Sequence, residues 1–129
     1  MLLTRKLTVQ FPDREEEEEK EFSLVSEDGN QVSGGQEGLL LFNGGTVCDD
    51  YFDMNAANAV CRKLGYPEAM IFTSGQVRRF TETLNIALDD VRCRSGDWEE
   101  CTYSTTHNCG HSEDVFLTCA AAQGSVHIP

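Results

Sequence analysis

The sequence predicts a small, disulfide-stapled α+β domain, and three observations carry that prediction. Six cysteines, at positions 48, 61, 93, 101, 109 and 119, fall within one stretch and none lies in either tail. One amphipathic helical window stands among short apolar runs punctuated by Gly, Asn and Asp. At 129 residues the chain is long enough for one domain with a modest core and too short for two ordinary ones.

The elements follow in order. Glu37-Gly38-Leu39-Leu40-Leu41-Phe42 is a short apolar strand, and Asn43-Gly44 is a two-residue hairpin signal because both residues tolerate positive φ. Gly45-Thr46-Val47-Cys48 is the returning strand. A helix comes next: Ala57, Val60, Cys61 and Leu64 recur at i, i+3, i+4 and i+7, so Cys61 sits on the buried stripe. Asp53 or Asn55 can cap its start, Gly65 stands at the C′ position, and Pro67 blocks continuation. Met70-Ile71-Phe72, Ile86-Ala87-Leu88 and Val115-Phe116-Leu117-Thr118-Cys119 are further strands.

Domain limits follow from charge. Up to Phe22 there are four basic and seven acidic residues, including the run Glu15 to Glu19, which repels itself and cannot pack. Residues 1–22 are therefore expected to be a disordered acidic leader, 23–120 the folded domain and 121–129 a flexible tail. No apolar run approaches the roughly 20 residues of a membrane helix. The start, Met1-Leu2-Leu3-Thr4-Arg5-Lys6, is a poor signal peptide, so the chain is expected to be a piece of a longer secreted protein.

The net charge of −12 excludes nucleic acid as a partner, because there is no basic footprint to release counterions. It disfavours anionic membranes for the same reason. An even cysteine count in a compact acidic domain points to three disulfides made in an oxidising compartment, with every pairing open at this level. A zinc site built from Cys101, His107, Cys109, His111 and Cys119 competes with that reading. The tight C-x2-C pairs that such sites usually carry are absent.

At this point the residues resemble a known family. Gly45-Thr46-Val47-Cys48-Asp49-Asp50 leads a strand into an acidic pair, Phe52-Asp53 stands where Trp-Asp is usual, and Ala57 to Tyr66 matches the family helix. Leu88-Asp89-Asp90-Val91-Arg92-Cys93 and His107-Asn108-Cys109-Gly110-His111-Ser112-Glu113-Asp114 complete a collinear set. Over Leu24 to Cys119 the chain resembles the scavenger receptor cysteine-rich domain. Tyr66 occupies the place of an extra cysteine in the eight-cysteine group, so the likeness is to the six-cysteine, group A type. It implies the pairs Cys48–Cys109, Cys61–Cys119 and Cys93–Cys101, and a curved antiparallel β-sheet cradling one α-helix. The chain departs from the pattern where the Trp before Gly-Thr-Val-Cys is missing and where Thr81 to Asn85 replaces a glycine-rich stretch.

Chemistry concentrates in acidic pairs beside half-cystines: Asp49-Asp50, Asp89-Asp90 and Glu113-Asp114. Adjacent carboxylates repel unless a cation neutralises them, and hard oxygen ligands suit Ca²⁺ or Mg²⁺ better than zinc. The resemblance implies one cation site at Asp49, Asp50 and Glu113 and a second at Asp89, Asp90 and Asn108. An exposed extracellular site of this kind binds Ca²⁺ at about 10⁻⁴–10⁻³ M. The plainer alternative is that Asp50 or Asp53 caps the helix and Asp90 pairs with Arg92 or Arg94. The domain's six basic residues are Arg62, Lys63, Arg78, Arg79, Arg92 and Arg94, of which Arg78 and Arg79, beside Phe80, are the expected ligand contacts. Trp98 and Tyr103 are expected to pack against the disulfides.

Catalysis finds no support: every cysteine is expected to be bridged, and no Gly-x-Ser-x-Gly or His-Glu-x-x-His motif occurs. The expected function is an extracellular module, secreted or part of an ectodomain, that binds a protein or polyanionic ligand with help from Ca²⁺, as scavenger-type domains do in innate immunity. The alternative is a positioning module within a larger secreted protease or matrix oxidase. Either way it is one part of a multidomain chain, with no direct membrane insertion.

Overall fold

The computed structural model describes residues 21–76 and 78–121. The expected acidic leader, apart from Glu21 and Phe22, and the expected tail, apart from Ala121, lie outside the described residues. Among the described residues there are seven strands and one α-helix: β1 Phe22–Val25, β2 Glu37–Phe42, β3 Gly45–Val47, α1 Met54–Lys63, β4 Ala69–Thr73, β5 Ile86–Cys93, β6 Cys101–Ser104 and β7 Phe116–Cys119.

They form one sheet in the order β4-β7-β2-β3-β5-β6, with β1 added on β2. β2 organises it. Leu39 pairs with Val25 on one side and Phe116 on the other, and Leu41 likewise pairs with Ser23 and Thr46. β7 and β3 thus share one edge of β2, end to end, and the sheet forks and curls there. Every strand pair is antiparallel except β3–β5, so the curled sheet is mixed where a wholly antiparallel one was expected.

Local chemistry explains the turns. Asn43 and Gly44 have φ of 52° and 89°, both left-handed, which gives the hairpin whose twist matches the paired strands Phe42 and Gly45. Asp53, not Asn55, caps α1: its carboxylate accepts the Ala56 N–H at 3.0 Å. At the other end Gly65, φ 100°, lets the Tyr66 and Gly65 amides return to the Cys61 and Arg62 carbonyls, a Schellman stop.

The core fills the concave side of the sheet. α1 lies against β4, β5 and β7 and buries Ala56, Ala57, Ala59, Val60 and Cys61 there. Leu40, Phe42, Leu88, Val91, Val115 and Leu117 meet them from the strands. Leu39 and Phe116, of opposite parity, face away, and the Arg78 guanidinium covers the Phe116 ring at 4.9 Å. One end is aromatic: Trp98 meets Phe22 edge-on at 4.8 Å and stacks on Tyr103 at 5.5 Å. Phe22, inside the expected leader, is buried at the start of β1.

Three disulfides join Cys48–Cys109, Cys61–Cys119 and Cys93–Cys101, and no cysteine is free. The first two close loops of 61 and 58 residues and the third a loop of 8. In the chain-entropy picture the long bridges each contribute about 4 kcal/mol and the short one about 2.5 kcal/mol.

Candidate cation-binding groove

β3 delivers the first acidic pair. Beyond Val47 the chain leaves the ladder, and three backbone bonds hold it: Cys48 N–H to the Leu88 carbonyl, Asp49 N–H to the Glu113 carbonyl, and Val115 N–H to the Val47 carbonyl, each 2.9 Å. The Cys48–Cys109 bridge pins the same point to the loop that carries Asn108. Asp49 and Asp50 are thereby fixed next to Glu113, some sixty positions away in sequence.

β5 delivers the second pair. Asp90 has φ 53°, in the left-handed region, and the β5–β6 register shifts between Asp89 and Arg92. This irregularity lets the Asp90 N–H donate to the Asp89 carboxylate at 2.7 Å. Asp89 itself is only 3% exposed.

The carboxylates form one array. Oxygens of Asp49, Asp50 and Glu113 lie within 4.8 Å of one another, and Asp50 and Asp89 meet the same limit. Asp50 therefore belongs to both groups, where the sequence reading divided the residues into two separate sets. Asp89, Asp90 and Asn108 line one groove together with Asp50, Tyr51 and His107. Partial desolvation, followed by the charges of Asp89, Glu113 and Asp49, pushes the Asp50 carboxyl above its usual range. Among the described residues no Lys or Arg forms an ion pair with these carboxylates.

This donor set fits a hard divalent cation. Two oxygens on opposite sides of Ca²⁺ are separated by about 4.6–5.2 Å, twice the ordinary Ca–O distance, and the carboxylate oxygens of Asp49, Asp50 and Glu113 are close enough together to reach one ion. The nearby sulfurs of Cys48 and Cys109 are tied in a disulfide, so the ligand atoms of the array itself are carboxylate oxygens. For the same reason a thiolate zinc site at Cys101, Cys109 or Cys119 has no ligands.

The basic residues divide differently. Arg78 is engaged by Glu27 at 3.0 Å and by Phe116, so its charge is committed to the fold. Arg79 is exposed on the short helical turn Arg79–Thr81. Arg62 bonds the Pro67 carbonyl at 3.1 Å and Lys63 pairs with Glu99 at 3.1 Å, tying the helix end to its neighbours. Trp98 and Tyr103 belong to the aromatic cluster.

Three further residues take part near the groove: Tyr51 and Ser74 carried no sequence signal, and in sequence His111 stands only as a candidate zinc ligand and as part of the family motif. Tyr51, with φ 64° and 60% exposure, lies under the Arg92 guanidinium at 3.6 Å. Ser74 donates to the Asp49 carboxylate at 2.6 Å. His111 pairs with buried Asp114 at 2.9 Å. The Tyr51–Arg92, Ser74–Asp49 and His111–Leu84 contacts join distant loops, which no local pattern reports.

Comparison with known proteins places this geometry. Residues 28–120 match the family model described as the scavenger receptor cysteine-rich domain. The chain belongs to the scavenger receptor cysteine-rich family. A scavenger receptor cysteine-rich domain superfamily protein of Patiria pectinifera is 42% identical over 91 residues, 63% of this chain and 8% of that protein. The macrophage receptor MARCO of Mesocricetus auratus is 40% identical over 80 residues, 58% of the chain and 15% of the receptor. Lysyl oxidase homolog 2 of Xenopus laevis is 40% identical over 80 residues, 59% of the chain and 10% of that protein. This chain thus spans a small fraction of the relatives' length, as one module of larger proteins does.

Solved structures of the family agree on the fold. The SRCR domain of mouse MARCO, in a dimeric form, superposes with a TM-score of 0.52 at 32% identity, covering 70% of this chain and 94% of that one. The third SRCR domain of murine neurotrypsin gives 0.54 at 30% identity, covering 80% and 100%. SRCR domains are binding modules rather than catalytic ones, and the lysyl oxidase match supplies an enzymatic setting only as part of a larger protein. No helix among the described residues is long and apolar enough to cross a membrane.

Proposed function

We propose that this SRCR domain is an extracellular binding module whose acidic groove takes Ca²⁺ and which holds a protein or polyanionic ligand partly through that ion. The observation that carries the reading is the array of Asp49, Asp50 and Glu113, within 4.8 Å of one another and without a cationic partner among the described residues. Asp89, Asp90 and Asn108 extend the donor set along the groove. Such an array is costly while its charges stay uncompensated and favourable once a divalent ion sits among them. Ca²⁺ is preferred to Mg²⁺ because an open, irregular oxygen set suits the flexible coordination of the larger ion. Arg92, stacked on Tyr51 at the groove's rim, and exposed Arg79 and Arg94 are cationic groups free of ion pairs among the described residues and able to meet an anionic ligand. The secretory setting is supported by three disulfides and by likeness to a macrophage receptor.

The test is capture of the oxidised chain on immobilised dextran sulfate, with Ca²⁺ and with chelator. Retention that chelator abolishes supports the reading, and retention indifferent to Ca²⁺ overturns its cation-dependent part. A second reading, a positioning module in a larger secreted enzyme, is favoured by the matches to lysyl oxidase homolog 2 and neurotrypsin. In that case the isolated chain captures no ligand, and deleting it from its parent protein alters the parent's placement rather than its chemistry.

A further inference from the structure

Buried between the groove and the sheet is a polar cluster that the cation reading leaves unused. Asp114 is 1% exposed, and Thr46 and Thr81 beside it are fully buried. Both oxygens of Asp114 face the His111 ring, at 3.1 and 2.9 Å from Nδ1, while Nε2 faces the Leu84 carbonyl at 2.9 Å. The hydroxyls of Thr46 and Thr81 also reach Asp114. Each has one proton to share between that carboxylate and a backbone carbonyl, Asn85 for Thr46 and Arg78 for Thr81.

Hydrogen-bond accounting constrains the ring. A carbonyl only accepts, so Nε2 carries a hydrogen, and one proton must lie between Nδ1 and Asp114 whichever of the two owns it. The imidazole is a cross-brace in either form. It joins the loop ending at Asn85 to the turn His111–Glu113, which carries the candidate cation ligand Glu113.

That turn is held at two further points, by Gly75 N–H on the Ser112 carbonyl and by Asp49 N–H on the Glu113 carbonyl, each 2.9 Å. Gly75 follows Ser74, whose hydroxyl binds the Asp49 carboxylate. The two candidate acidic ligands are therefore spaced by a frame in which the His111 ring ties the turn directly to the Leu84 carbonyl, while Thr81 reaches the turn's closing residue Asp114.

From this geometry we infer that His111 is a positioning residue for the cation site, setting the distance between Glu113 and Asp49–Asp50 through Asp114 and Leu84. The inference rests on the cation reading above and adds a coupling to it: the 81–85 loop, which follows the exposed Arg79, and the acidic array move as one unit. Residues that orient a metal's ligands typically change affinity about 10- to 100-fold when lost.

The experiment uses the full oxidised chain as wild type, His111→Ala and His111→Asn. It is titrated with Ca²⁺ alone, and amide exchange is followed residue by residue in the ion-free protein. His111→Ala is expected to weaken Ca²⁺ binding about 10-fold or more and to speed exchange at Asp49 and across the turn while leaving β2 and β5 protected. His111→Asn, which keeps a donor towards Asp114, recovers part of both. Wild-type affinity together with unchanged Asp49 exchange in His111→Ala overturns the inference, as does acceleration spread evenly over the sheet. Should His111→Ala fail to fold, His111→Gln, which reaches Leu84 without pairing to Asp114, carries the test with the same outcomes. If the wild type takes up no Ca²⁺, the cation reading falls on its own and Asp49 exchange alone decides the positioning role.

Discussion

The two ends of this sheet solve opposite problems. At one end Phe22, Phe42, Trp98 and Tyr103 close on each other, with ring centroids 4.8 to 6.3 Å apart, so the rings find their partners within the domain. At the other end Asp49, Asp50, Asp89 and Glu113 crowd together with no positive side chain among the described residues to neutralise them. The aromatic end is complete in itself. The acidic end is pinned by the Cys48–Cys109 disulfide, and in the proposed reading a cation supplies the charge it lacks. One region keeps its contacts within the domain, and the other is the region proposed to bind.

That contrast can be broken most severely by removing what both ends share. Replacing Cys61 and Cys119 together by alanine opens a 58-residue loop and empties two buried positions. A loss of about 4 kcal/mol is expected, visible as a collapse of the denaturant midpoint. Phe42→Ala attacks the self-sufficient end alone. It should cost about 3–5 kcal/mol, as buried Phe truncations do, and leave Ca²⁺ affinity within error in whatever fraction remains folded. Coupled loss of affinity and stability there would erase the distinction between the two ends.

Smaller effects sharpen the comparison from the acidic side. Ca²⁺ at ten times its dissociation constant should stabilise the folded chain by about 1.4 kcal/mol, read as an upward shift of Tm that chelator reverses. Asp50→Asn removes the charge common to both carboxylate groups. It should raise Tm of the ion-free chain slightly and abolish the Ca²⁺-induced shift, and a lowered ion-free Tm would mean that Asp50 is a structural group.

The pH dependence has a definite sign. The folded-state pKa of Asp50 lies above its ordinary value, so the folded state holds that proton more tightly than the unfolded chain. Its ionisation weighs against folding above this window and is relieved as pH falls through it. Ca²⁺ affinity measured by titration should drop over the same range, because protons and the cation compete for one carboxylate. Asp114 is shifted in the same direction by burial, partly offset by Thr46 and His111.

Much of the frame was legible in the sequence because it rests on local chemistry. The Asn43-Gly44 hairpin, the helix with its Asp53 cap and Gly65 stop, and the apolar strands at Leu39–Phe42 and Phe116–Cys119 all announce themselves within a few residues. β1 and β6 did not. Phe22–Val25 is a four-residue run beside a charged stretch, and Cys101–Ser104 is polar and takes its strand form from pairing with β5 rather than from an apolar pattern of its own. The parallel β3–β5 contact was hidden because it depends on how the chain returns across the sheet.

The candidate site was half legible. Acidic pairs next to half-cystines pick out the carboxylates that the fold gathers into one array, but their grouping depends on backbone details. The left-handed conformation at Asp90 and the Asp49–Glu113 amide bond make Asp50 a shared member rather than one of a separate trio. Arg78, an expected ligand contact, pairs with Glu27 and covers the Phe116 ring, partners that come from distant elements and leave no local trace.

The central claim is that the acidic end is completed by a cation. It is tested most directly by Ca²⁺ titration of the oxidised chain against the triple variant Asp49→Ala, Asp50→Ala, Glu113→Ala, followed by calorimetry and amide shifts. Saturable binding at about 10⁻⁴–10⁻³ M, with shifts at Asp49, Asp50 and Glu113 that the triple variant loses while staying folded, is the predicted result. Absence of binding well above that range, or undiminished binding by the triple variant, would contradict it.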